Sequence, residues 1–201
     1  MKTFALSQST GAGSPDVAGF FDPRTFSVQY IVSDPATKQC AIIDPVLDFD
    51  EKSGATATFC ADALLKYIEE EGLTVAWILD THPHADHFSA AQYLKEKTGA
   101  PTAIGQYVTQ VQALWKEIYH WPEMPTDGRQ WDTLFVEGDT FAIGELSARV
   151  LHSPGHTLAS ITYVIGDAAL ATADKGRVMI KAIVERLAEK LSQPDFWPGP
   201  V

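Results

Sequence analysis

Seven consecutive residues, Thr81-His82-Pro83-His84-Ala85-Asp86-His87, carry three imidazoles and a carboxylate. The chain has six histidines in all, so half of them fall in this segment. His82 and His84 are two apart, and on an extended loop such side chains can point the same way. Asp86 and His87 can then turn toward a neighbouring point. Imidazole nitrogens with a carboxylate suit zinc, iron or manganese. Asp86 has a second role open to it, as a general base that accepts a proton from bound water. The competing reading, a polar surface turn with histidines gathered by chance, fits this density poorly.

Two further elements point to the same place. In His152-Ser153-Pro154-Gly155-His156-Thr157, Pro-Gly makes a tight turn with positive φ available at Gly155. That turn can project His156 back toward the strand ends. Asp174 closes the apolar run 168–173, and a carboxylate there can bridge two metals or complete one site. Other candidates read as structural. His152 lies on the far side of the turn, at a strand end. His120 sits in the aromatic loop Tyr119-His120-Trp121-Pro122. Trp115, Trp121 and Trp131 could wall a pocket, but core packing is the safer reading. Ser153 and Ser160 lack a nucleophile arrangement, because His156 is better explained as a ligand.

The elements that must position these groups are legible in outline. Residues 26–32 and 40–45, joined by the turn 33–38, read as a β-hairpin, and Pro45 stops its second strand from continuing centrally. Residues 61–71 carry Leu64, Leu65 and Ile68 at helical spacing, with Gly72 as a stop. The apolar run 74–79 predicts a strand buried on both faces, leading directly into the histidine cluster. The C-terminal end of such a strand is where α/β sheets place ligands and chemistry. Helices over 89–97 and 108–119 follow, with a short strand at 101–104. Next come short strands at 133–136, 141–143, 148–152, 161–165 and 168–173, then an amphipathic helix from Val178 to Leu191. The order implies a sheet-rich α/β protein with helices packed outside. One domain over 1–201 is expected, with 1–15 a flexible arm and 175–201 a divergent helical tail.

With these motifs in view, the chain resembles the metallo-β-lactamase superfamily. Thr81 to His87 looks like its T-H-x-H-x-D-H signature, and His152 to Thr157 resembles its P-G-H-T turn. Gly166-Asp167 followed by Ala171-Thr172-Ala173-Asp174 resembles the strand that delivers a bridging aspartate, and Asp44 matches a second-strand aspartate that supports the metal loop. The nearest flavour is the glyoxalase II and persulfide dioxygenase branch, including bacterial β-lactamase hydrolase-like proteins. The resemblance implies an αββα sandwich. It gives one metal position to His82, His84, His156 and Asp174. It gives another to Asp86, His87, Asp174 and a further histidine downstream.

That last ligand has no counterpart, because every histidine lies at or before His156. The C-terminal half of the sandwich therefore reads as incomplete, and one ion, zinc or iron, is favoured over two. The resemblance implies a metal-dependent hydrolase acting on a thioester, lactone or similar small substrate through metal-activated water. An alternative is an iron persulfide dioxygenase oxidising glutathione persulfide, its ligands His82, His156 and Asp174. The 18-residue step from His156 to Asp174 resembles that branch. A third reading is an inactive metal-binding fragment.

Composition narrows the partners. A formal net charge of −11 repels phosphate backbones, so nucleic acid is not expected. No run reaches the roughly 20 apolar residues of a membrane span, and the first residues do not read as a secretory signal. A cytoplasmic location and a small-molecule substrate, for which the resemblance allows a glutathione link, are the expectations. An unpaired sheet edge would favour a homodimer. Cys40 and Cys60 read as two small buried hydrophobes rather than a disulfide.

Overall fold

The structure is a computed structural model that describes residues 3–167 and the single positions 181, 184, 185, 188 and 192. In chain order the strands and helices are β1 (Thr3–Ser7), β2 (Asp16–Phe21), β3 (Val28–Ser33), β4 (Gln39–Ile43), β5 (Val46–Phe49), β6 (Thr56–Ala57), α1 (Phe59–Glu70), β7 (Thr74–Leu79), β8 (Phe88–Ser89), α2 (Ala91–Thr98), β9 (Thr102–Gly105), α3 (Val108–Ile118), β10 (Thr133–Phe135), β11 (Thr140–Ile143), β12 (Leu146–His152) and β13 (Ile161–Ile165). By its contacts the chain divides into two compact units, Met1–Gly166 and Asp167–Val201. The strand expected at 168–173, Asp174 and most of the expected tail helix lie outside the described residues.

The β3–β4 hairpin forms as expected. Its turn is held by Asp34, whose Oδ1 accepts the Ala36 amide at 3.0 Å and whose Oδ2 accepts the Thr37 hydroxyl at 2.7 Å. Such side-chain bonds to nearby chain are what make aspartate a turn residue. Pro45 ends β4, and the chain leaves for a different sheet as β5. The segment expected to be a flexible arm is not one throughout. Thr3–Ser7 pairs antiparallel with β2, Leu6 opposite Ala18 and Ser7 opposite Val17. The pairing satisfies backbone groups that β2 would otherwise expose at the sheet edge.

Seven strands make the main sheet in the order β1-β2-β3-β4-β7-β9-β10. β4, β7 and β9 run parallel, with Ile42 beside Ile78 and Ile78 beside Thr102. Because side chains alternate along a strand, each face gathers its own core. Cys40, Ile42 and Ile78 pack with Ala61, Leu64 and Ile68 of α1 and Leu94 of α2. Ala41, Ile43 and Leu79 face the other way and meet Ile143, Val150 and Ile161 of the β11-β12-β13 sheet. The result is a helix, sheet, sheet layering, an α/β class. Fully burying a Leu or Ile side chain stabilises by roughly 1.5–3 kcal/mol, so these two interfaces dominate the fold's energy.

The strand at 74–79 departs from the expectation of burial along its length. Only Ile78 and Leu79 are fully buried, while Thr74 is exposed and Val75 to Trp77 are half-buried. Trp77 reaches the sheet margin, where its indole Nε1 donates to Ala142 O at 3.1 Å. Among the described residues no helix is long and apolar enough to cross a membrane.

Candidate metal centre

β4 and β7 end side by side, and the residues that follow them build most of the site. Asp44, directly after β4, takes φ +53°, a left-handed conformation that aspartate tolerates better than most residues. This turns its carboxylate into the loop after β7. Oδ1 accepts the Thr81 amide at 2.7 Å and Oδ2 the Thr81 hydroxyl at 2.8 Å. His84 Nε2 lies 3.0 Å from the same Oδ1. The far end of the loop is fixed where β8 pairs with β5, Ser89 opposite Val46.

Four imidazoles form a contiguous row. His82 and His84 have ring centroids 4.1 Å apart, His84 and His87 also 4.1 Å, and His82 and His156 4.6 Å. His156 comes from the turn after β12, but Gly155 does not take the positive φ that the sequence makes available. The turn is instead closed by Ser160, whose Oγ accepts the Thr157 amide at 3.1 Å and whose carbonyl accepts the Ser153 amide at 3.0 Å. Gly105 permits the close approach behind it, since a Cβ there would sit 2.7 Å from Ile161 Cγ2.

The β2–β3 turn braces the His87 end of the row. Ser27 Oγ donates to Asp86 Oδ2 at 2.7 Å and lies 3.2 Å from His87 Nδ1. His87 Nδ1 is also 3.2 Å from Asp86 Oδ2. With a carboxylate facing it, Nδ1 is assigned the proton, which leaves the lone pair on Nε2. That Nε2 is buried and has no hydrogen-bond partner among the described residues. An orphaned buried polar atom costs about 1–3 kcal/mol, so the site asks for an electrophile there. A metal ion fits, since the donor set around it is imidazole and carboxylate; His84, Asp86 and His87 each offer an atom within 4.8 Å of the others.

Electrostatics agree with that reading. Burial, with the neighbouring His84 and His156, brings the His82 pKa down to about 4, so its ring is neutral. Burial and His84 likewise lower that of His87. Burial also disfavours the charged form of His84, but the Asp44 carboxylate on its Nε2 outweighs this and raises its pKa. For Asp86 burial is outweighed by the Ser27 and His87 hydrogen bonds, and its pKa falls to about 2.

Thus His82, His84, Asp86, His87 and His156 come together, while Asp174 lies outside the described residues. His152 stays at the end of β12, its Nε2 3.0 Å from Leu158 O and its ring 4.5 Å from that of Tyr107. His120 is exposed and lines a separate hollow with Trp121. Three groups that the sequence did not single out support the loop: Ser27, Asp80 and Ser89. Trp131, read as core packing, instead donates its Nε1 to Asp80 Oδ2 at 2.8 Å. Asp80 alone had a local signal, as the carboxylate directly before the motif.

Two hollows share the loop. One, of about 680 Å³, is lined by Phe49 and Phe88 in edge-to-face contact, together with Arg24, Lys52, His84, Asp86 and His87. The other, of about 470 Å³, is lined by His82, His156 and Ser27.

A model of the metallo-beta-lactamase superfamily matches residues 23–171. A beta-lactamase hydrolase-like protein of Xylella fastidiosa is 70% identical over 156 residues, which is 78% of this chain and 36% of that protein. A mitochondrial persulfide dioxygenase of Homo sapiens is 28% identical over 168 residues, 83% of this chain and 54% of that protein. The crystal structure of ETHE1 from Myxococcus xanthus superposes with a TM-score of 0.57 at 29% identity, covering 74% of this chain and 53% of that one. The chain therefore spans between about a third and a half of the length of these relatives.

Proposed function

Because the chain belongs to the metallo-beta-lactamase superfamily, we propose that it is the metal-holding part of a metal-dependent hydrolase acting on a thioester, lactone or similar small substrate. The observation that carries this reading is the buried, unpartnered Nε2 of His87 at the end of a row of four imidazoles. His82, His84 and His156 would hold one metal position, and Asp86 with the open Nε2 of His87 would face a second one beside it; zinc or iron suits the set. A bound ion would supply a Lewis acid that polarises the substrate and lowers the pKa of a coordinated water. The 680 Å³ hollow is of the size that takes a small organic molecule, and its Phe49–Phe88 wall suits an apolar body. Asp86, ionised down to about pH 2, holds a proton weakly at neutral pH. That suits it to ligation and orientation better than to general-base work, for which a pKa near the working pH is best.

A second reading is an iron-dependent persulfide dioxygenase using glutathione persulfide. The similarity to relatives of that name across 83% of this chain favours it. Metal analysis of the chain purified without added metal separates the two. Zinc, with hydrolysis of a glutathione thioester or a lactone, supports the first. Iron, with persulfide-dependent oxygen uptake, supports the second. A bound ion with neither reaction marks a fragment that binds metal without turnover. Two zinc ions per chain would overturn the single-ion preference, and undiminished metal in His82→Ala would overturn the ligand assignment.

A further inference from the structure

The loop that carries four of the proposed ligands begins at Thr81 and ends at His87, and its base is closed by side chains outside it. Asp80 is buried. Its Oδ1 accepts the Ser89 hydroxyl at 2.9 Å, so the residues just before and just after the loop are joined directly. Its Oδ2 accepts Trp131 Nε1 at 2.8 Å, which ties that junction to the segment entering β10. The Asp80 backbone is fixed as well, its amide donating to Ala103 O at 2.9 Å and its carbonyl accepting the Tyr163 hydroxyl at 2.9 Å. Ser89 is held in turn, because its Oγ accepts the Ala91 amide at 3.2 Å in the first turn of α2.

Asp80 also lies close to the ligands. One of its oxygens, an Asp44 oxygen and a His84 nitrogen lie within 4.8 Å of one another. Such a trio could be mistaken for a second cation site. The hydrogen bonds argue otherwise, since both Asp80 oxygens already accept one and Asp44 is occupied with Thr81 and His84. The carboxylate that bonds a ligating imidazole is Asp44, on His84; Asp80 acts one step further out, by joining the two ends of the loop.

We propose that Asp80, keyed by Trp131 and Ser89, is a positioning residue of the metal centre: it clasps the base of the 81–87 loop and sets His82 and His84 for the ion. This role rests on the metal reading above. Outer-shell partners of this kind typically change metal affinity by about 10–100-fold when removed.

The test uses the whole chain with zinc or cobalt(II) as the probe. Asp80→Asn keeps the shape of the side chain but removes its charge. Trp131→Phe keeps an aromatic ring but removes the donor. Zinc affinity is measured by chelator competition, the cobalt spectrum by its visible bands, and the metal-free fold by urea denaturation. Both variants are expected to bind zinc about tenfold or more weakly, with altered cobalt bands, under conditions where the metal-free chain is fully folded. Affinity within about twofold of the parent with an unchanged cobalt spectrum would overturn the role, since about tenfold is the smallest outer-shell effect expected. So would a loss of affinity that merely follows a loss of folded chain. If Trp131→Phe does not fold, Asp80→Asn and Ser89→Ala carry the same readouts. A parent chain that takes up neither ion would overturn the metal reading itself, an outcome distinct from unaffected variants.

Discussion

Asp80→Asn should stabilise the metal-free chain at neutral and higher pH and do little in acid. Burial raises the Asp80 pKa from 3.8 to about 6; the Trp131 and Ser89 bonds oppose the shift and the Asp44 charge adds to it. The folded chain therefore binds this proton more tightly than the unfolded chain. Stability contributed by the protonated form is complete below the unfolded value and is lost as pH rises from about 4 to about 6. At about 1.4 kcal/mol per pH unit, the ionised carboxylate costs the folded chain about 3 kcal/mol above that window. Asparagine carries no such charge, and the hydrogen bonds that favour the ionised carboxylate are already counted in that net shift. The net expectation is a gain of roughly 3 kcal/mol near pH 8 that largely vanishes near pH 4. Urea denaturation of chelator-treated protein, followed by tryptophan fluorescence at both pH values, measures it. A variant less stable than the parent near pH 8, or a difference that does not change with pH, would refute the reasoning. A group that destabilises the empty fold while improving ligand geometry is a common trade at functional sites.

Other expectations follow from features of the same kind. Gly105→Ala would place a Cβ 2.7 Å from Ile161 Cγ2 and 3.1 Å from Ala159 O. It should cost about 1–3 kcal/mol, read as a lowered urea midpoint. Burial holds the thiols of Cys40 and Cys60 at about 12, aided at Cys60 by its bond to Asp48. Neither should react with a thiol reagent in the native chain near pH 8, and both should react on unfolding. Zinc must displace the proton that Asp44 helps His84 retain, so zinc affinity should begin to fall on acidification already above the ordinary histidine value of 6.5. Affinity that stays flat through that value in a chelator competition would contradict the assignment.

Much of this arrangement is legible in the sequence because it is local. The alternation in Cys40-Ala41-Ile42-Ile43 assigns one face to the helices and the other to the second sheet, and Gly99 ends α2 in the left-handed conformation such a stop requires. The histidine spacing of 81–87 needs no partner to be noticed. What is not legible depends on residues brought together from far apart. β1 is unremarkable until β2 offers it an edge, and β6 and β8 are two-residue strands defined only by pairing with β5. Ser27 meets Asp86 across 59 positions, and Trp131 meets Asp80 across 51. Nothing near either residue in the sequence announces the meeting. Gly155 shows the converse: a local preference for positive φ gave way to a turn stabilised through Ser160.

The division of ligands between one loop and one distant turn bears on the order of assembly. His82, His84, Asp86 and His87 are neighbours in the chain, and closing a short loop costs little entropy. His156 arrives only when the β12–β13 hairpin docks, where Ile161 donates to the Thr81 carbonyl at 3.0 Å. Contacts of such long sequence separation form late and slowly. An ion seated among these histidines would then act as a latch, holding the hairpin closed against transient opening. Amide exchange along β12 and β13 should slow on metal addition, more than exchange along the β3–β4 hairpin.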